Sequence, residues 1–182
     1  MPDARRAFAA HPLATLLATG FGAGLSPLVP GTAGSALALA AAWLSYASIF
    51  PAHAGSVTLS VGLLMSGLVV GLLGVAAAGP VCRALESKDP GCIVIDEISG
   101  QLIASAAVPL MAPYRSGLVE AGAWIVSFLL FRFFDVVKPG PIRRLQELPG
   151  GWGVVADDVA GGLAAAAALF GLGWVAVRLG WI

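Results

Sequence analysis

The chain has 182 residues, of which 58% are hydrophobic and only 11% charged, and its formal net charge is zero. A soluble domain of this size needs a far more polar exterior, so the composition predicts one membrane-embedded domain spanning residues 1–182. With no excess of basic residues, no nucleic acid is expected as a partner.

The first apolar stretch, residues 13–29, is interrupted by glycines and a proline, which oppose one long regular helix. It predicts a short N-terminal helix followed by a Gly/Pro-rich re-entrant or surface loop. Five further apolar stretches predict an all-α, polytopic bundle with about five membrane helices. Those at 57–79 and 159–177 have the length that spans a bilayer and carry no charge. The other three, at 35–50, 98–112 and 117–134, are shorter or contain polar residues.

Positive charges in the short connections predict the orientation of the chain, because Lys and Arg favour the cytoplasmic side of a membrane. The connections at about 80–97 and 135–158 are therefore placed in the cytoplasm, and those at 51–56 and 113–116 outside. Neither cytoplasmic connection is long enough to form a separate catalytic domain. Any chemistry is expected where helix ends meet the lipid headgroups.

Five of the ten acidic residues lie in three short segments that border apolar stretches. They are Asp96 and Glu97 in IDEISG, Asp135 in FRFFDVVKPGPIRR, and Asp157 and Asp158 in GGWGVVADDVAGG. A carboxylate near hydrocarbon is costly unless it is paired, hydrated or bound to a cation. All five lie on the predicted cytoplasmic side, so they are candidate catalytic groups and candidate ligands for one or two Mg²⁺ ions. For either acidic pair alone, helix capping is the alternative.

The segment GFGAGLSPLVPGTAGS, residues 20–35, precedes a helix that is expected to start near Ser35. Free amide groups at a helix start can bind an anion, and glycines allow it to approach the backbone closely. Gly31, Thr32 and Ser35 are therefore candidate phosphate ligands. The alternative is a Pro-Gly turn followed by an ordinary Thr or Ser helix cap.

Basic residues surround the acidic residue of FRFFDVVKPGPIRR. Arg132, Asp135 and Lys138 are spaced three apart and share one face if the helix continues to Lys138. Lys138 and Arg143 are candidate phosphate ligands, because both provide positive N–H donors. The alternative for Arg143 is membrane topology and headgroup attraction alone, and for Arg132 a simple ion pair with Asp135.

These four segments resemble, in the same order, the successive motifs of the phosphatidylglycerophosphatase A family, and the resemblance covers residues 20–162. It implies a multi-pass enzyme of the bacterial inner membrane, and the positive charges of the connections predict that its active site faces the cytoplasm. Such an enzyme hydrolyses phosphatidylglycerophosphate to phosphatidylglycerol and phosphate with Mg²⁺. The resemblance points to a set of matching positions without assigning their individual roles: Asp96, Glu97, Asp135, Lys138, Arg143, Asp157, Asp158 and the turn at residues 30–32.

Residues and resemblance together predict that Mg²⁺ bridged by Asp96, Asp135 and Asp157 binds the terminal phosphate while water attacks phosphorus. Glu97 or Asp158 would orient or deprotonate that water, and an aspartyl-phosphate intermediate is a second route. A transporter or channel for a divalent cation is the alternative function, because carboxylates within a membrane also mark ion pathways. A noncatalytic lipid-binding subunit is a third possibility.

Overall fold

The computed structural model describes residues 2–49, 56–114 and 117–181. Within these ranges the chain is helical, with two short 3₁₀ turns at Ala23–Leu25 and Val108–Tyr114 and no β-strand. The α-helices are α1 (Pro2–Ala10), α2 (Pro12–Ala18), α3 (Pro30–Ile49), α4 (Ser56–Ala84), α5 (Ile95–Ser105), α6 (Gly117–Val137), α7 (Pro141–Leu145) and α8 (Gly151–Arg178). The all-α prediction is confirmed, as is the short N-terminal helix before the Gly/Pro-rich loop.

Three helices, α4, α6 and α8, are long and apolar enough to cross a membrane, whereas five membrane helices are not confirmed. Helix α5 is about 16 Å long at 1.5 Å per residue, which is about half the thickness of a bilayer core. The prediction of one helix over 98–112 is wrong, because α5 ends at Ser105 and a 3₁₀ turn follows. Pro109 explains the break, since proline has no amide to donate to the carbonyl four residues earlier, that of Ser105, and its ring clashes with that carbonyl.

Several helix boundaries differ from the sequence prediction in ways that move functional residues. Helix α3 begins at Pro30 rather than near Ser35, with proline at a position where no amide donor is needed. Helix α8 begins at Gly151 rather than at 159, so Asp157 and Asp158 lie inside a helix and not in a connection. The predicted outer connections at 51–56 and 113–116 fall largely outside the described residues.

Helix α5 packs against α3, α4, α6 and α8, which makes it the central element of the bundle. Glycines of α4 allow it to approach closely: a β-carbon on Gly67 would lie 2.6 Å from Cγ1 of Ile103. The Ser99 hydroxyl donates a hydrogen bond of 2.8 Å to the carbonyl of Gly67. The small residue at Gly67 therefore serves close packing of α4 on α5.

Helices α5 and α8 cross with their backbones in contact. A β-carbon on Gly162 would overlap the carbonyl oxygen of Gly100 and lie 3.0 Å from its carbonyl carbon. A β-carbon on Gly100 would lie 2.6 Å from Cζ of Phe131 and 2.7 Å from the carbonyl oxygen of Asp158. The space beside Gly100 therefore serves helix packing and does not admit an ion or a phosphate. This crossing brings the acidic start of α5 next to the acidic turn of α8.

Candidate active site

A cavity of about 270 Å³ brings together residues from all four motif segments. It lies between the start of α3, the connection before α5, the first turn of α5, the end of α6 and the second turn of α8. Its lining residues are Val29, Pro30, Gly31, Thr32, Asp89, Gly91, Ile93, Asp96, Glu97, Arg132, Asp135, Lys138 and Asp158. Sequence-distant acidic and basic groups thus share one small space.

Three carboxylates form one side of this cavity. Asp96, Glu97 and Asp158 each offer one oxygen, and these oxygens lie within 4.8 Å of one another. The buried atoms Oδ1 of Asp96, Oε2 of Glu97 and Oδ2 of Asp158 have no hydrogen-bond partner in the described part of the chain. Buried acceptors without partners are costly, and a hard divalent cation prefers carboxylate oxygens. The three side chains therefore fit a site for such an ion.

The acidic pair at the start of α5 does not act as a helix cap. The N-cap residue of α5 is Val94, and the helix start has no side-chain cap hydrogen bond. Burial, followed by the charge of Glu97, raises the pKa of Asp96 well above its usual range. Burial also raises the pKa of Glu97, although the hydrogen bond with Asp96 acts in the opposite direction. Without a cation, this pair favours holding a proton.

Asp135 is engaged by two cations. Nη1 of Arg132 lies 2.7 Å from Oδ2 of Asp135, and Nζ of Lys138 lies 3.7 Å from Oδ1. The predicted Arg132–Asp135 ion pair is therefore confirmed, but Arg132 also lines the cavity. Arg132 was not among the predicted substrate ligands, although its spacing with Asp135 and Lys138 indicates that it shares a helix face with them.

Lys138 connects α6 to the acidic turn of α8. The condition that α6 continue to Lys138 is not met, because the helix ends at Val137 and Lys138 takes a left-handed backbone with φ of 45°. Its ammonium group donates a hydrogen bond to Oδ2 of Asp157 and lies 3.7 Å from Oδ1 of Asp158. Burial lowers the pKa of Lys138, but the carboxylates, Asp158 first, outweigh that effect and raise it above its usual value. Lys138 therefore stays protonated.

The first turn of α3 forms the opposite side of the cavity. A β-carbon on Gly31 would overlap Oε1 of Glu97 and lie 3.1 Å from its Cδ. Ser35 is completely buried, donates a 2.9 Å hydrogen bond to the Gly31 carbonyl and accepts one of 3.3 Å from Nη1 of Arg132. Ser35 is not a helix cap, because α3 begins five residues earlier. Gly31 and Thr32 line the cavity, whereas Ser35 lies behind it.

The remaining predicted site residues lie at different depths. Asp157 is 2% exposed and contacts Lys138, but it is not among the residues that line the cavity. Arg143 lies exposed in the short helix α7 and does not line the cavity either, so its role in phosphate binding stays a prediction. Asp89 lines the cavity from the connection before α5 and was missed, because a lone acidic residue in a charged turn carries no specific signal.

Comparison with known proteins agrees with the order of the motifs. The family model for phosphatidylglycerophosphatase A matches residues 16–173. Phosphatidylglycerophosphatase A of Escherichia coli is 32% identical over 160 residues, covering 87% of this chain and 82% of that protein. The Haemophilus influenzae protein of the same name is 35% identical over 159 residues, covering 86% of each chain.

A relative with a different name is equally similar. A Bacteroides thetaiotaomicron protein named "Putative phosphatidylinositol-3-phosphatase" is 35% identical over 158 residues, covering 83% of this chain and 87% of that protein. No solved structure matches the chain. All three relatives are named as lipid phosphatases, and the family match extends from α2 into α8. The chain belongs to the phosphatidylglycerophosphatase A family, a family of phosphatases.

Proposed function

We propose that this protein hydrolyses the terminal phosphate of phosphatidylglycerophosphate, giving phosphatidylglycerol and phosphate, in phospholipid biosynthesis. One observation carries the proposal beyond family membership: three carboxylates with unpartnered buried oxygens share a cavity with Arg132 and Lys138. A phosphate monoester needs both kinds of group, because its charge must be balanced while water attacks phosphorus.

In this proposal Mg²⁺ is held by Asp96, Glu97 and Asp158. When bound, the ion would balance charge on the phosphate oxygens and lower the pKa of a bound water. Asp135 and Asp157, also candidate ligands from the sequence, are paired more closely with cations than Asp158 is, Asp135 with Arg132 and Asp157 with Lys138. We assign them to positioning Arg132 and Lys138.

Arg132 and Lys138 are assigned to bind the phosphate. The contacts of Arg132 with Asp135 and Ser35 both use Nη1, which leaves other guanidinium N–H groups as donors to phosphate oxygens. Lys138 remains charged beside Asp158 and supplies a second positive group. Thr32 adds a hydroxyl donor from the start of α3, where it lines the cavity.

The reaction is an attack of water on phosphorus. A bond forms between the water oxygen and phosphorus, and the bond between phosphorus and the terminal glycerol oxygen breaks. Glu97 accepts the proton of the water and passes it to the departing glycerol oxygen, which leaves as a hydroxyl. The products are inorganic phosphate and phosphatidylglycerol.

We place the cavity at the cytoplasmic face of the bacterial inner membrane. Arg143 and Arg144 of α7 are exposed near the same end of α6 and α8, as are Arg83 in the last turn of α4 and Lys88 after that helix. Positive charge of this kind favours the cytoplasm. A lipid headgroup would then lie at the depth of the carboxylates.

A second candidate substrate is phosphatidylinositol 3-phosphate, because the Bacteroides relative is named for that lipid. Both lipids carry a phosphate monoester on a polar alcohol, so the cavity chemistry alone serves either. Purified protein in detergent should be assayed for phosphate release from each lipid, with Mg²⁺ and with EDTA. Faster release from phosphatidylglycerophosphate supports the proposal. Faster release from phosphatidylinositol 3-phosphate contradicts it and makes that lipid the preferred substrate.

The same preparation tests the metal and the transporter alternative. We expect phosphate release to stop in EDTA and to recover on addition of Mg²⁺. Full activity in EDTA would contradict the metal assignment. Uptake of a divalent cation into proteoliposomes without lipid hydrolysis would support a transporter.

A further inference from the structure

The loop between α2 and α3 presents large apolar side chains next to the polar cavity. Phe21 is 74% exposed and Leu28 86% exposed, and the neighbouring Val29 is also exposed while lining the cavity. We refer to Phe21, Leu28 and Val29 as the apolar lip. Val29 brings the lip to the edge of the cavity, so a ligand that extends out of the cavity past Val29 would meet it.

The inner part of this loop is held firmly against the segment that leads into α5. A β-carbon on Gly20 would lie 2.6 Å from Cδ1 of Ile98, and one on Gly24 would overlap the carbonyl oxygen of Cys92. The amide of Val94 donates a 2.8 Å hydrogen bond to the carbonyl of Ala18. The loop is therefore packed on the same segment that carries the acidic pair.

Phe21 is exposed at a conformational cost. It has a φ of 56°, in the left-handed region that costs a side-chain-bearing residue about 1–2 kcal/mol. Its amide donates a 2.9 Å hydrogen bond to the carbonyl of Leu16, which fixes the turn. Exposure of the phenyl ring to water does not offset this conformational cost. Contact of the ring with hydrocarbon would offset it, because burial of apolar surface is favourable.

We propose that the apolar lip binds the glycerol backbone and first acyl segments of the diacyl phospholipid whose terminal phosphate occupies the cavity; this rests on the proposed function. Val29 provides the continuity, because it belongs to both the lip and the cavity lining. Arg132 and Lys138 would bind the phosphate, together with the ion that the carboxylates would hold. The lip would bind the apolar part of the same molecule. The lip thereby makes the enzyme sensitive to acyl-chain length.

The test compares the double variant Phe21→Asn, Leu28→Ser with the wild-type protein. Asparagine tolerates left-handed backbone better than other polar residues, so the turn is kept while the ring is lost. The matched control is Leu172→Ser, Val175→Ser, which removes two exposed apolar side chains of α8. The readout is kcat/KM for dioleoyl phosphatidylglycerophosphate divided by kcat/KM for the dihexanoyl lipid, both in mixed micelles at equal surface mole fraction.

We expect the wild-type protein to favour the dioleoyl lipid and the lip variant to reduce that ratio about tenfold, with the control variant unchanged. An unchanged ratio overturns the proposal and assigns the lip to bulk bilayer lipid. Equal loss for both lipids also overturns it and indicates a structural role or a contact with a second copy. A wild-type protein that hydrolyses neither lipid contradicts the proposed function itself, so the two failures are distinguishable.

Discussion

Gly31 and Glu97 are packed so closely that no side chain fits between them, since a β-carbon on Gly31 would overlap Oε1 of Glu97. The first turn of α3 thus limits the positions that the carboxylate of Glu97, a proposed metal ligand, can take. Ser35 connects the same turn to Arg132 through its hydroxyl. One helical turn therefore positions groups on the cation side and on the phosphate side of the cavity.

The Gly31–Glu97 contact predicts that Gly31→Ala lowers phosphatase activity by at least about tenfold, because a displacement near 1 Å in an active site costs that much or more. The concentration of Mg²⁺ needed for half-maximal activity should rise as well. Gly62→Ala is the matched control, since a β-carbon on Gly62 meets no atom within 4 Å. Equal activity of the two variants would show that Glu97 adjusts without consequence.

Asp158 and Asp135 should respond differently to loss of charge. Asp158→Asn removes a proposed metal ligand, and we expect the half-saturating Mg²⁺ concentration to rise at least about tenfold. Asp135→Asn loosens Arg132 and Lys138, so its main effect should be a higher KM for the lipid. Kinetic titration of both variants with Mg²⁺ and with substrate measures the difference. A large shift in Mg²⁺ requirement for Asp135→Asn would make Asp135 a metal ligand, as the sequence suggested.

The buried ion pair between Lys138 and Asp157 predicts a double-mutant cycle. Lys138→Met leaves Asp157, which is 2% exposed, without its cation, and loss of one partner of a buried pair costs about 3–5 kcal/mol. Adding Asp157→Asn should recover part of the stability, with a coupling of about 1–3 kcal/mol. Activity should not recover, because Lys138 is assigned to the phosphate. Denaturant unfolding in detergent, with parallel assays, checks both expectations.

The raised pKa of Asp96 predicts how pH affects the metal-free protein. Burial raises that pKa well above the ordinary value of 3.8, so the folded state binds a proton more tightly than the unfolded state. The resulting stability is present below pH 3.8 and is lost as pH rises through the raised value. In EDTA the melting temperature should therefore fall with rising pH, and added Mg²⁺ should stabilise the protein most at high pH. A flat profile in EDTA would argue against a protonated pair.

The crossing of α5 and α8 predicts that Gly162→Ala destabilises the fold. A β-carbon there would overlap backbone atoms of Gly100, and overpacking costs about 1–3 kcal/mol. Gly171→Ala in the same helix meets open space and should be neutral or stabilising by about 0.5–1 kcal/mol. Thermal unfolding in detergent compares the pair.

The sequence predicted much of the chemistry but less of the geometry. Carboxylates beside apolar stretches are costly enough to reveal a site, and Asp96, Glu97, Asp135 and Asp158 do line one cavity. Which of them face one another depends on how helices cross, and that information lies in contacts such as Gly100 with Gly162. Periodicity also fails at helix ends, where single prolines shifted the start of α3 and ended α5 early.

The roles of Ser35 and Arg132 could not be separated by spacing alone. They lie 97 positions apart and meet only because α3 and α6 both pack around α5. A hydroxyl near a glycine-rich loop predicts an anion ligand as readily as a support for an arginine. Tertiary packing decides between the two, and it places Ser35 behind the cavity.

Main-chain contact between α5 and α8 means that the separation of the backbones that carry Asp96 and Asp158 is fixed by van der Waals radii. When bilayer thickness or lateral pressure changes, long helices respond by tilting. The half-length helix α5 is locked to α8 and follows it as one unit. The spacing of the two backbone segments is thereby insulated from the elastic state of a surrounding bilayer.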